Sequence, residues 1–215
     1  MFLSNRDLAW AIECGTLIVD PKPTEYGESS IDLHLDKVSE ARVWDVNKFQ
    51  KTLNAHGTTR PELRLGTFDY RKFSAEYFSV PPEFKRGEET SALVVKRGGE
   101  IIVRPNGFLL WQTKETVGTP RDKTSRLVCF VNAKSTRART GLVVHLTAPT
   151  IHVAWSGQIT LEIANFGPFD FVLQEDDIIA QITVATVSSV PDLTMTANKS
   201  QTYGQTTPSG SPESR

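Results

Sequence analysis

The chain has 215 residues, with 24 Lys and Arg against 25 Asp and Glu and a formal net charge of -1. That length predicts one substantial core, and the near-zero charge excludes a broad electrostatic pull toward DNA, RNA or an anionic membrane, so any phosphate binding has to be local. Cys14 and Cys129 are too few for a disulfide scaffold, and both are expected as buried thiols in a reducing compartment.

The opening MFLSNRDLAW puts Arg6 and Asp7 where a secretory peptide would carry its apolar run, and no later stretch approaches the ~18 apolar residues of a membrane helix. The expectation is a cytoplasmic protein with neither a membrane nor a nucleic acid as partner. Ser4 followed by Asp7 fits a capping box, in which side chains satisfy backbone donors left unpaired by the first helical turn. Leu8, Ala11 and Ile12 then form an apolar stripe, and Gly15 supplies the left-handed residue that ends many helices. A helix of about ten residues is predicted.

Beyond it the period changes to two. Ile31, Leu33 and Leu35 alternate with Asp32 and His34, as in a strand with one face in a core. Leu93 to Lys96 and Ile101 to Arg104 flank a Gly98-Gly99 turn, and Pro105-Asn106-Gly107 turns the chain into the apolar run Phe108 to Trp111. Further strands are predicted at Leu127 to Val131, Leu142 to Thr147, Gln158 to Asn165, Phe169 to Leu173 and Ile178 to Val187. The fold class is mainly β, as one unit over residues 1–204. Residues 44–90 are charged and irregular and read as an elaboration on that core. From Gln205 to Arg215 the chain offers almost nothing to bury, which predicts a mobile tail.

The stretch from Ala133 to Asn165 carries the chemistry. Lys134, Ser135, Thr136, Arg137 and Arg139 place three cations and two hydroxyls within six positions beside a strand end. Guanidinium groups form paired, charge-assisted hydrogen bonds to phosphate, and hydroxyls add short donors, so the cluster suits a polyphosphate. A solvated basic turn has the same composition. Farther on, Ile159, Leu161 and Ile163 alternate with Thr160 and Glu162, so Glu162 points away from the apolar face, toward solvent or a cleft. Between these lie His145 and His152, then Trp155-Ser156-Gly157. Zinc nucleobase deaminases need a His-x-Glu segment and a Pro-Cys-x-x-Cys segment, and neither is present, which predicts chemistry without zinc.

Taken in order, Lys134-Ser135-Thr136-x-Ala138-Arg139, Gly141-Leu142, His145-x-Thr147-Ala148, Trp155-Ser156-Gly157 and Leu161-Glu162 resemble the dCTP deaminase family of the trimeric dUTPase-like superfamily. Weaker likeness extends to Leu3-Ser4-Asn5-Arg6-Asp7, Ser29-Ser30-Ile31-Asp32-Leu33 and Gly204-Gln205-Thr206-Thr207-Pro208. The resemblance implies a dUTPase-like (β-clip) distorted barrel or sandwich with a short N-terminal helix, assembled as a homotrimer with sites at subunit interfaces. It implies that dCTP is hydrolysed to dUTP and ammonia. The residue matching Glu162 would be general base and acid, a double role that needs proton affinity near the working pH.

The same resemblance places Lys134, Ser135, Thr136, Arg137, Ala138 and Arg139 at the triphosphate. Mg²⁺ would be carried on the phosphate oxygens. Thr160 and Leu161 would read the cytosine edge through their backbone, His152 would lie near the sugar, and Gln205 would fold over the nucleotide. It also prompts dTTP as a regulator. One departure is His152, where many relatives and the dUTPases carry an aspartate that helps activate the water attacking phosphate. Another is Gln201-Thr202-Tyr203, in place of a lysine-tyrosine pattern. Two alternatives stay open: a bifunctional enzyme that continues to dUMP and pyrophosphate, and a non-catalytic nucleotide sensor.

Overall fold

The computed structural model describes residues 1–55, 64–67, 69–87, 91–121, 125–192 and 194. The elements in chain order begin with α1 (Asn5–Glu13), β1 (Ile18–Asp20), β2 (Ile31–His34), β3 (Val43–Trp44), α2 (Val46–Ala55) and α3 (Tyr70–Tyr77). They continue with β4 (Phe78–Ser79), β5 (Val94–Arg97), β6 (Glu100–Val103), β7 (Phe108–Gly118), β8 (Leu127–Ala133) and α4 (Ser135–Ala138). The last are β9 (Leu142–Val143), β10 (Thr150–Ile151), β11 (Ser156–Asn165), β12 (Phe171–Gln174) and β13 (Ile178–Thr186).

The mainly β expectation holds, and every pairing between these strands is antiparallel. One four-stranded sheet runs β1-β7-β11-β9, a second runs β10-β8-β13-β2, and smaller sheets are β12-β6-β5 and β3-β4. Alternation explains the packing. Leu109 and Trp111 of β7, Leu161 and Ile163 of β11, Cys129 and Val131 of β8, and Ile182 and Val184 of β13 all enter one contiguous core. Burying each such side chain contributes about 1.5–3 kcal/mol. Trp111 is fully buried and meets its polar requirement by donating Nε1–H to the Lys37 carbonyl at 3.1 Å.

The N-terminal helix forms as its capping signals predict. Asp7 N–H donates to Ser4 Oγ, Ser4 N–H donates back to the Asp7 carboxylate, and Leu8, Ala11 and Ile12 are buried. Gly15 follows with φ +71°. Among the described residues, no helix is long and apolar enough to cross a membrane.

Three expectations need correction. Residues 44–90, read as irregular, include α2, α3, β3 and β4. An aromatic cluster joins α3, β3 and β4 to the core: Trp44 stacks on Phe78 at 4.4 Å and on Phe108 of β7 at 5.9 Å, and meets Phe73 edge-on at 5.6 Å. The strand predicted over 142–147 stops at Val143, because Leu146 N–H turns to the Glu162 carboxylate instead of a strand partner. Cys14 is exposed, not buried, since it caps α1 outside the helix's apolar stripe. Cys129 is buried as expected, and burial pushes its thiol pKa up to about 12.

Candidate active site

β11 positions the candidate carboxylate. The strand pairs with β7 from Ser156 to Ala164, with a register shift between Gln158 and Thr160. Buried polar contacts hold this bulge. Ile159 N–H donates to Thr113 Oγ1 at 2.9 Å, Gln158 Nε2 donates to Asp36 Oδ2 at 2.9 Å, and Gln112 Nε2 donates to the same oxygen at 2.7 Å. Bulges of this kind re-aim nearby side chains. Three residues on, Glu162 lies opposite Leu110 and accepts a hydrogen bond from Leu146 N–H on Oε2 at 3.3 Å.

Glu162 opens into a cleft of about 310 Å³ lined by Val131, Ile151, Ile159, Thr160, Trp155 and His152, among others. The volume is at the lower end of the ~300–1,000 Å³ typical of small-molecule sites, and apolar walls with few polar groups are their usual lining. Beside Trp155, which lines the cleft, two backbones approach closely. Gly118, with φ +150°, pairs with Ser156, and a Cβ there would stand 2.0 Å from the Trp155 carbonyl oxygen. Thr119 Oγ1 then accepts from Ala154 N–H at 2.8 Å, fixing the turn between His152 and Trp155.

The residues singled out from the sequence fall into separate places. His152, Thr160 and Glu162 line the cleft. Leu161 is fully buried, so only its backbone is available to a ligand. Lys134, Ser135, Thr136, Arg137, Ala138 and Arg139 form and flank α4, where Ser135, Thr136, Ala138 and Arg139 are exposed, and none of the six lines the cleft. Lys134 Nζ reaches Asp32 Oδ1 at 2.6 Å. Asp32 borders a second cleft, of about 640 Å³, with His34 and Glu115, whose Nδ1 and Oε1 are 2.6 Å apart. Gln205 lies outside the described residues, as do the tail 205–215 and Gln201-Thr202-Tyr203. Among the described residues no group of three or more His, Cys, Asp or Glu converges as a metal site.

Sequence reasoning did not place Tyr70, Val131, Ala148, Thr150, Ile151, Trp155 or Ile159 at the site, and Tyr70 is the one of these remote from both the 148–162 stretch and β8. Burial and then the Glu162 charge raise its phenol pKa above the ordinary tyrosine value. A signal existed: Asp69 precedes aromatics at positions 70, 73 and 77, the spacing of one helical face behind an N-cap.

The structure is similar to a 2'-deoxycytidine 5'-triphosphate deaminase from Agrobacterium tumefaciens, with a TM-score of 0.53 and 13% identity. That likeness covers 86% of this chain and 48% of the other, so this chain spans about half of that longer one. The chain belongs to the dCTP deaminase-like family, whose profile matches residues 2–187. It is 35% identical over 217 residues to a dCTP deaminase of Haloarcula marismortui, covering 98% of this chain and 94% of the relative. It is 36% identical over 194 residues to a dUMP-forming dCTP deaminase of Halobacterium salinarum, covering 89% and 84%.

Proposed function

We propose that this protein hydrolyses the 4-amino group of dCTP, giving dUTP and ammonia, with Glu162 as the proton-transfer group. The observation that carries the reading is Glu162 in a nucleoside-sized, largely apolar cleft of a dCTP deaminase-like chain. Water adds to C4 of the cytosine while Glu162 takes a proton from it and delivers that proton to N3. The carboxylate then takes the remaining hydroxyl proton and passes it to the departing amino group. C4=O, N3–H and NH3 result, so both hydrogens of the water are accounted for. No metal is required for these transfers.

Leu146 N–H holds one carboxylate oxygen, leaving the other for water. Thr160 and the backbone of Leu161 would meet the base edge, and His152 the sugar. Lys134, Ser135, Thr136, Arg137 and Arg139 would bind the triphosphate, which brings Mg²⁺ as part of the substrate. Because this turn does not line the Glu162 cleft of its own chain, a second copy would supply it, in a homotrimer. The segment 205–215, with Gln205, would cover the bound nucleotide.

Incubation of the purified protein with dCTP and Mg²⁺, with ammonia and nucleotide products followed, tests the reading. Formation of dUTP by the wild type and its loss in Glu162→Gln are expected. Absence of ammonia from the wild type, or full activity in the variant, would refute it. The dUMP-forming name of the Halobacterium relative favours a second reading, in which dUTP is cleaved further. Stoichiometric pyrophosphate in the same assay would establish that one.

A further inference from the structure

Tyr70, on α3, reaches the Glu162 cleft from a part of the chain remote from Val131 and from the 148–162 stretch that supply the rest of its lining. Asp69 caps α3 by accepting hydrogen bonds from the N–H groups of Arg71 at 3.1 Å and Lys72 at 3.2 Å. Phe73, three residues after Tyr70, packs edge-on against Trp44, which stacks on Phe78 and on Phe108. Just before Trp44, Arg42 exchanges backbone hydrogen bonds with Leu110, both at 2.8 Å. Leu110 is the residue paired with Glu162. A continuous set of contacts therefore runs from the helix carrying Tyr70 to the strand beside the carboxylate.

The chemistry of the cleft selects what Tyr70 can meet. Any substrate deaminated by Glu162 must bring its pyrimidine to that carboxylate, while the negative charge of the same group repels phosphate. The surroundings of Val131, Ile151 and Ile159 are apolar and suit a planar heteroaromatic ring. Tyr70 is 39% exposed, enough for part of the ring to meet a ligand. Burial and the Glu162 charge favour its neutral phenol, so the face it offers is uncharged.

We infer that Tyr70 is a specificity-determining residue whose ring forms a wall of the pyrimidine site, an inference that rests on the deaminase reading above. The segment between β3 and β5 thereby takes part in substrate recognition. The contact is with the base and not with the phosphates, so its removal weakens binding of a cytosine nucleotide but not of a bare polyphosphate.

The test uses the full chain as wild type, Tyr70→Phe and Tyr70→Ala, with dCTP and inorganic tripolyphosphate titrated separately by calorimetry, beside steady-state kinetics on dCTP. Tyr70→Ala should weaken dCTP binding and raise KM about tenfold, the order of one lost base-aromatic contact. Its tripolyphosphate affinity should equal the wild type's, and Tyr70→Phe should stay within about twofold on both ligands because the ring remains. Unchanged dCTP affinity in Tyr70→Ala overturns the inference. So does a parallel loss of tripolyphosphate binding, which marks a merely structural role, or a Tyr70→Phe variant as weak as Tyr70→Ala. Failure of the wild type to release ammonia from dCTP refutes the deaminase reading itself, before any variant is compared.

Discussion

Glu162 and Arg139 belong to one continuous run of sequence, yet the protein mounts them on different supports. Glu162 stands in the middle of a ten-residue strand that is paired along β7 and braced by the buried Thr113 hydroxyl. Arg139 follows a four-residue helix whose surroundings are open to solvent, and Lys134 at the start of that helix is tied to Asp32 on β2. The contrast matches the two tasks. Proton transfer requires a carboxylate held to a fraction of an ångström, whereas a long cationic side chain can adjust to find phosphate.

The largest test of that contrast is at the carboxylate. Glu162→Gln keeps the shape and the acceptor for Leu146 N–H but cannot move protons, so kcat should fall about 10³-fold with little change in KM. Steady-state kinetics on dCTP checks this, and a defect in KM alone would place Glu162 in binding instead.

Next is the support under the cleft. Gly118→Ala would drive a Cβ to 2.0 Å from the Trp155 carbonyl and strain a positive φ, so β7 and β11 would have to separate. A loss of about 3 kcal/mol is expected in urea-unfolding experiments. Unaltered stability would show that the close pairing there is dispensable.

On the phosphate side, Arg139→Ala should raise KM for dCTP about 30-fold, corresponding to ~2 kcal/mol for a charge-assisted contact, with kcat nearly retained. An equal fall in kcat would mean that the turn also organises the reacting atoms. The smallest effect is expected from Asp32→Asn. It releases Lys134 from a pair about one-third exposed, and should lower KM about two- to threefold at low salt, the difference vanishing at high salt. A rise in KM would show that Asp32 holds Lys134 where the substrate needs it.

Much of the scaffold was legible because its signals are local. The Ser4 and Asp7 box, the Gly98-Gly99 hairpin and the two-residue alternation through Ile159, Leu161 and Ile163 each depend on neighbours a few positions apart. The continuation of β7 through Gln112, Thr113 and Glu115 was not legible. These polar residues are buried because their side chains bond across the sheet and to other strands, such as Glu115 to His34. In residues 44–90 the helix at 70–77 had a local signal that was passed over, but its docking was not legible, since Trp44 and Phe108 are each about 30 residues from the Phe73 and Phe78 they join only in the fold.

The amino-acid sequence by itself determined the β character, the capped first helix and the ordered motif block from Lys134 to Glu162, through periodicity and spacing that need no folding to be read. Tertiary structure alone decided that Glu162 opens into a cleft, that the basic turn lies off its lining and that Tyr70 lies on it. Those outcomes depend on strand register and on packing between remote segments. A one-residue slip of β11 would carry Glu162 to the other face, and nothing in its neighbours' identity specifies which remote segment comes to lie beside it.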